Sequence, residues 1–213
     1  VRELENYLAR VSDVMLFDVP LHYHLHDASI SDGNVDLSRL WENTLTVSHP
    51  DQSVTFVENH DTQPGQSLAS TVAPWFKAAA YALILFHEAG VPCVFWGDLL
   101  GSPDSDDLPA VRELPILMGI RARAAVGSQH NAFDDADVVG FAREGKDEIP
   151  GSGCAVILSD RMASDKMLYV GTRHAGEEWE CVIGGHPSVR IADDGTLTGT
   201  VSDGGLSVYV PRA

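Results

Sequence analysis

The densest chemistry in the sequence lies in Phe56-Val57-Glu58-Asn59-His60-Asp61-Thr62-Gln63, where an amide, an imidazole and a carboxylate follow one another. An apolar run over 53–57 ends there, and the chain breaks at Pro64-Gly65. Polar groups gathered where a buried strand stops are what a barrel enzyme presents at the C-terminal face of its sheet. Taken alone, the residues leave a second reading open, with Asp61 capping the following loop and His60 as a satisfied core histidine. Glu58 stands three residues from Asp61. Strand alternation places the two on opposite faces, which excludes Glu58 as a second catalytic acid beside it.

Other groups are weaker candidates. His22, His24 and His26 alternate, and in an extended segment they would share a face as zinc ligands. Polar residues lining the loops of a cleft just past a strand explain them better. Cys93, Cys154 and Cys181 are an odd number without CxxC spacing and sit in apolar runs, so neither a disulfide framework nor a zinc site is indicated. Aspartate and glutamate outnumber lysine and arginine 31 to 14, a net charge of −17. That sign repels nucleic acid and anionic lipid. No run of about 18 apolar residues suggests a membrane span. The cluster over 104–107 reads as a solvated acidic loop.

The elements that would position these groups divide near residue 126. Before it, the patterning predicts helices over 1–11, 35–45, 75–88 and 114–126, and apolar strands over 14–21, 53–57 and 91–96. Pro74 suits a first helical turn, and Gly90 a C-terminal stop. Alternating strands and helices argue a covered parallel sheet. After Gly127, short alternating strands are predicted over 138–143, 154–159, 167–171, 179–183, 189–192, 196–201 and 206–210. Asp193-Asp194-Gly195 and Asp203-Gly204-Gly205 read as hairpin turns. The expected domains are thus 1–126 and 127–213, the second an all-β antiparallel module.

With these motifs in order, the chain resembles the α-amylase family of glycoside hydrolases, in particular the liquefying type and its intracellular fungal relatives. Phe17-Asp18-Val19-Pro20-Leu21-His22-Tyr23 resembles the sixth barrel strand. Residues 54–61, followed by Thr62-Gln63-Pro64-Gly65-Gln66-Ser67-Leu68, resemble the seventh strand and its loop. Trp75-Phe76-Lys77 onward is similar to the seventh helix, Val94-Phe95-Trp96-Gly97-Asp98 to the eighth strand, and Val139-Gly140-Phe141-Ala142-Arg143-Glu144-Gly145 to the start of the C-terminal domain. The fold so implied is α/β plus all-β: a partial (β/α)8 barrel, strands six to eight, followed by an antiparallel Greek-key β-sandwich domain.

The resemblance implies a retaining hydrolysis of α-1,4-glucosidic bonds in starch, glycogen or maltooligosaccharides. Such enzymes pair a nucleophilic carboxylate with a carboxylic acid about 5 Å away. A third acid and a neighbouring histidine grip hydroxyls of the distorted sugar. By match to the motif, Asp61 is that third acid, the transition-state stabiliser, and His60 that histidine, with Asn59 orienting the strand end. Trp96 is the candidate for the cleft rim; Trp75 reads as core and Tyr23 as a further stacking candidate. The resemblance also implies a calcium ion between barrel and C-terminal domain, held by the carboxylates of Asp137 and Asp160 and the carbonyls of Gly33, Val35 and Ala136.

The family draws its nucleophile from the fourth strand and its proton donor from the fifth, and no Gly-Phe-Arg-x-Asp segment occurs here. The expectation is therefore a C-terminal portion, with three of eight barrel units, inactive alone and poorly soluble or partly unfolded because its parallel edges lack neighbours. A non-catalytic glucan-binding or regulatory remnant is the alternative, and a transglycosylase a variant of the first reading. Coding sequence upstream of Val1 would separate them. The acidic composition and absent disulfide pattern favour a cytoplasmic over a secreted protein.

Overall fold

A computed structural model describes residues 1–101 and 108–212. The acidic cluster at 104–107 therefore lies outside the described residues. Three short parallel strands come first: β1 (Leu16–Phe17), β2 (Ser53–Phe56) and β3 (Val91–Cys93), in the order β1-β2-β3. Phe17 pairs with Val54, and Phe56 with Cys93. Pro92 sits in β3 opposite Thr55. The N-terminal helix α1 covers Arg2–Leu8, shorter than expected.

The run 14–21, expected as one apolar strand, divides in two. Only Leu16–Phe17 is strand, and helix α2 takes over at Val19–Ile30. Pro20 fixes helical φ in the first turn, and the buried Asp18 carboxylate caps the helix by accepting from the Leu21 N–H at 3.2 Å. His22, His24 and His26 are consequently helical, so His24 faces away from the other two. The run 35–45, expected as one helix, is broken. Asp36 caps a 3-10 turn at Leu37–Arg39, and Asn43 adopts φ 55 in the left-handed region. Thr44 then caps a four-residue helix α3 at Leu45–Ser48.

Helix α4 (Pro74–Phe86) is apolar apart from Lys77 and nearly wholly buried. It stops at Phe86, before Gly90, which turns the following loop at φ 78. Its last carbonyls are taken by side chains instead: Arg143 donates to the Phe86 oxygen at 2.8 Å, and Arg121 to the Leu85 oxygen. The strand predicted over 91–96 ends at Cys93, and α5 begins at Trp96–Leu100; α6 spans Leu114–Arg123.

Beyond Gly127 the structure is antiparallel. Strands β4 (Gln129–Ala132), β5 (Val138–Arg143), β6 (Cys154–Ser159), β7 (Ser164–Tyr169), β8 (Glu178–Ile183), β9 (Val189–Arg190), β10 (Thr196–Val201) and β11 (Leu206–Pro211) form two sheets. One has six strands in the order β4-β5-β6-β11-β8-β9; the other is the β10-β7 ribbon. Strand β4 escaped the sequence reading because Gln-His-Asn-Ala carries no apolar alternation. The turns at 193–195 and 203–205 exist, with Gly195 at φ 81 and Gly204 at φ 56, but neither is a hairpin between paired strands. Strand β10 pairs with β7, so both turns carry the chain from one sheet to the other.

Every residue of β5 and β6 is buried, because their sheet is covered on both faces. Val138, Ala142, Ala155 and Ile157 pack with Leu168, Leu197, Trp179 and Tyr209 against the β7–β10 side. Val139, Phe141, Val156, Leu158, Val208 and Val210 join α2, α4 and α6 in the other core. The parallel and antiparallel parts thus share one apolar interior.

Candidate functional site

Strand β2 delivers its chain into a tight turn at 57–62. The Asn59 side-chain oxygen accepts from the N–H groups of Asp61 (2.8 Å) and Thr62 (3.0 Å). The Thr62 hydroxyl accepts from the Asn59 N–H at 3.0 Å and donates to the Glu58 carboxylate. The Gln63 N–H closes on the Asn59 carbonyl at 3.2 Å, and its side-chain amide donates to the His60 carbonyl at 3.1 Å. Asn59 is an Asx-type cap, and its locked turn throws His60 and Asp61 outward.

Those two side chains stand together, with His60 Nε2 at 3.5 Å from Asp61 Oδ1 and exposures of 82% and 56%. They are free to meet a ligand. Trp96 begins α5 beyond the neighbouring strand β3 and is 70% exposed. Trp75, expected in the core, is instead partly exposed, because its indole N–H is drawn to the Ser29 carbonyl at the end of α2 (2.9 Å). Tyr23 is exposed on α2 and lies edge-on to His22.

Beneath the turn the side chains are buried and charged. Glu58 is fully buried, with Lys77 of α4 at 3.4 Å; the same ammonium contacts Asp98, whose other oxygen accepts from the Tyr81 hydroxyl at 2.7 Å. Burial pushes the Glu58 carboxyl above its ordinary value, opposed by the Thr62 hydrogen bond and Lys77. Burial and the Asp98 charge likewise raise the Tyr81 phenol. Sequence reasoning passed over Lys77, Asp98 and Tyr81. A lone lysine in the apolar run Trp75-Phe76-Lys77-Ala78-Ala79-Ala80 was the available signal, since a cation there must be paired.

The three alternating histidines form no common site. His22 lies against the Val57 carbonyl (2.9 Å) and the Ser70 hydroxyl (2.8 Å), His26 against the Thr71 carbonyl, and His24 against the Leu40 carbonyl (each 2.8 Å). A carbonyl only accepts, so each Nδ1 carries hydrogen. These imidazoles clip the 57–73 loop and the 37–40 turn onto α2. Among the described residues, no group of three or more His, Cys, Asp or Glu is arranged to hold a metal.

The set implied for calcium contains two carboxylates with backbone oxygens, a different composition. Asp160 is buried, and among the described residues neither of its side-chain oxygens has a hydrogen-bond partner. Burial and the neighbouring Asp137 charge push its carboxyl up to about 6. The Asp160 N–H reaches the Asp137 carbonyl at 3.3 Å, while the Ala136 carbonyl accepts from Leu37 at 2.8 Å and keeps a second lone pair. An orphaned buried carboxylate beside a second acid suits a hard cation.

No family model matches the chain. Its sequence is 44% identical over 214 residues to the α-amylase of Bacillus licheniformis, covering 98% of this chain and 42% of that protein. It is 36% identical to the cytoplasmic α-amylase of Escherichia coli, covering 99% of this chain and 44% of that one. The chain thus spans about two fifths of the length of the curated relatives it matches. Among solved structures, an Anoxybacillus α-amylase superposes with TM-score 0.62 at 20% identity, covering 93% of this chain and 47% of that one. AmyP in complex with maltose gives TM-score 0.62 at 14% identity, covering 92% and 50%.

Proposed function

We propose that this chain, an α-amylase relative along nearly its whole length, is the C-terminal part of an endo-acting α-1,4-glucan hydrolase. On this reading β1 to β3 are strands six to eight of a (β/α)8 barrel, residues 1–126 belong to that barrel, and 127–213 form a Greek-key β domain. The observation that carries it is the Asn59-capped turn, which presents His60 and Asp61 off a parallel strand tip in a chain 44% identical to an α-amylase. Phe17 on β1 and Val91 on β3 are half exposed at the two outer strands of the sheet, as befits strands that continue a larger one.

Mechanistically, Asp61 and His60 grip hydroxyls of the sugar ring as it flattens toward an oxocarbenium ion, so their bonds strengthen in the transition state. Asn59 fixes the turn, and Trp96 offers a ring face to a neighbouring glucose. The nucleophile and proton donor come from residues outside this chain, and these 213 residues alone do not turn over starch. Asp137 and Asp160, with the carbonyls of Gly33, Val35 and Ala136, would hold calcium, and its charge would neutralise the paired acids.

The test is release of reducing ends from starch by the full-length gene product and its Asp61→Asn variant. Hydrolysis that collapses in the variant supports the reading. Glucan binding without hydrolysis would identify the non-catalytic, glucan-binding alternative.

A further inference from the structure

The charged cluster under the β2 tip is buried, yet it is continuous with the backbone of Asp61. Lys77 is 3% exposed and its ammonium lies between Asp98 and Glu58. Tyr81, one turn further along α4, holds the far oxygen of Asp98. Glu58 receives the Thr62 hydroxyl hydrogen, and that same oxygen receives the Asn59 N–H. Asn59 in turn receives the N–H of Asp61. The route therefore runs Lys77, Glu58, Thr62, Asn59, Asp61, with a hydrogen bond or ion pair at each step.

A buried ion pair is a poor source of net stability, because desolvation offsets most of the attraction; this one is tied to the turn through the Thr62 hydroxyl. We propose that Thr62, held by Glu58 and Lys77, is a positioning residue that aims Asp61 at a bound glucan. The inference rests on the reading of Asp61 as the acid that meets the sugar. Thr62 is 7% exposed and its hydroxyl makes both contacts at once, donating to one neighbour and accepting from the other. Valine keeps the shape and loses both contacts, whereas serine keeps both.

The experiment compares Thr62→Val, Thr62→Ser and Asp61→Asn in the full-length gene product, with maltohexaose as substrate. Thr62→Val is expected to lower kcat on the order of 10- to 100-fold with KM little changed, since misplacement acts on the transition state. Thr62→Ser should restore kcat, and the Asp61 amide should exchange its hydrogen faster only in the valine variant. Wild-type kcat in Thr62→Val, a loss that serine does not restore, or unchanged amide exchange would each overturn the inference. The amide readout does not depend on turnover. Should Asp61→Asn retain full activity, the failure would lie with the reading of Asp61 itself, and the positioning role would fall with it.

Discussion

The parallel and antiparallel parts of this molecule are held by different physics. The parallel strands β1, β2 and β3 are two, four and three residues long, too short for their ladders to order much chain. Their tips are fixed by buried polar side chains. Asp18 accepts from the Leu45 N–H (3.0 Å), the Thr46 N–H and the Thr46 hydroxyl (both 2.7 Å), while His22 and the Lys77 cluster pin the following turn. In the antiparallel part, β5, β6 and β10 run six residues each and bury apolar side chains between two sheets. Both share the apolar interior around α4, but only the parallel part adds buried polar clamps that aim its strand tips. A change to a polar clamp should therefore disorder the site locally, and a change to the apolar core should lower the melting temperature of the whole.

The sharpest way to break the contrast is Lys77→Ala. It leaves Glu58 and Asp98 buried without a counter-charge, a loss of about 3–5 kcal/mol. Hydrogen exchange should show it concentrated at 57–62 and α5, with the β5–β6 ladder still protected at equal temperature. Uniform loss of protection would show that the two regions unfold as one unit. The complementary change is Ile157→Ala in the fully buried centre of β6, expected to destabilise by about 2–5 kcal/mol. Here a thermal melt should shift while the Asp61 and Thr62 amides keep their exchange rates at low temperature.

The same contrast explains what could be read from the sequence. Strands β5, β6 and β10 were legible to the residue, because apolar residues bounded by turn residues report a packed sheet directly. The run 14–21 misled, since Leu16 to Leu21 reads as a strand unless Asp18 is seen as a cap and Pro20 as a helix start. Likewise 35–45 kept helical spacing at Leu37 and Leu40, but Asn43 in the left-handed region breaks it. Asn59, His60 and Asp61 were found because they are contiguous. Lys77 and Asp98 are 21 residues apart and meet only through the fold. The hairpin readings at 193–195 and 203–205 failed for a similar reason, as local turn chemistry does not say which strand the next one will pair with.

A third change probes the seam between the regions. If Asp137 and Asp160 hold calcium, adding the ion at about 100 times its dissociation constant should stabilise the chain by about 2.7 kcal/mol. Asp160→Asn should abolish that dependence, and differential scanning fluorimetry with calcium or a chelator reads it. A calcium response surviving in the variant would place the ion elsewhere.

The smallest expected effect is acid sensitivity from His22 and His87, one under the β2 turn and the other stacked on Trp41 at 4.0 Å. Burial lowers both imidazoles below their ordinary 6.5, because a charged ring cannot be solvated there. Above pH 6.5 both rings are neutral folded or unfolded, and stability is unaffected by them. As pH falls below 6.5 the unfolded chain takes up protons that the folded chain refuses, so stability drops until the folded values are passed. Asp160 opposes this in calcium-free protein. Its carboxyl is raised from 3.8 to about 6, so its contribution is full below 3.8 and lost as pH rises through 6. Glu58, raised by burial, opposes it as well, so the histidine effect is read as the difference His87→Phe makes to urea midpoints from pH 7.5 to 5 in the Asp160→Asn background. A midpoint falling toward pH 5 there, and flattened by His87→Phe, assigns the loss to the imidazole at the seam. The same pH dependence with and without His87→Phe would mean that the His87 ring protonates freely in the folded chain.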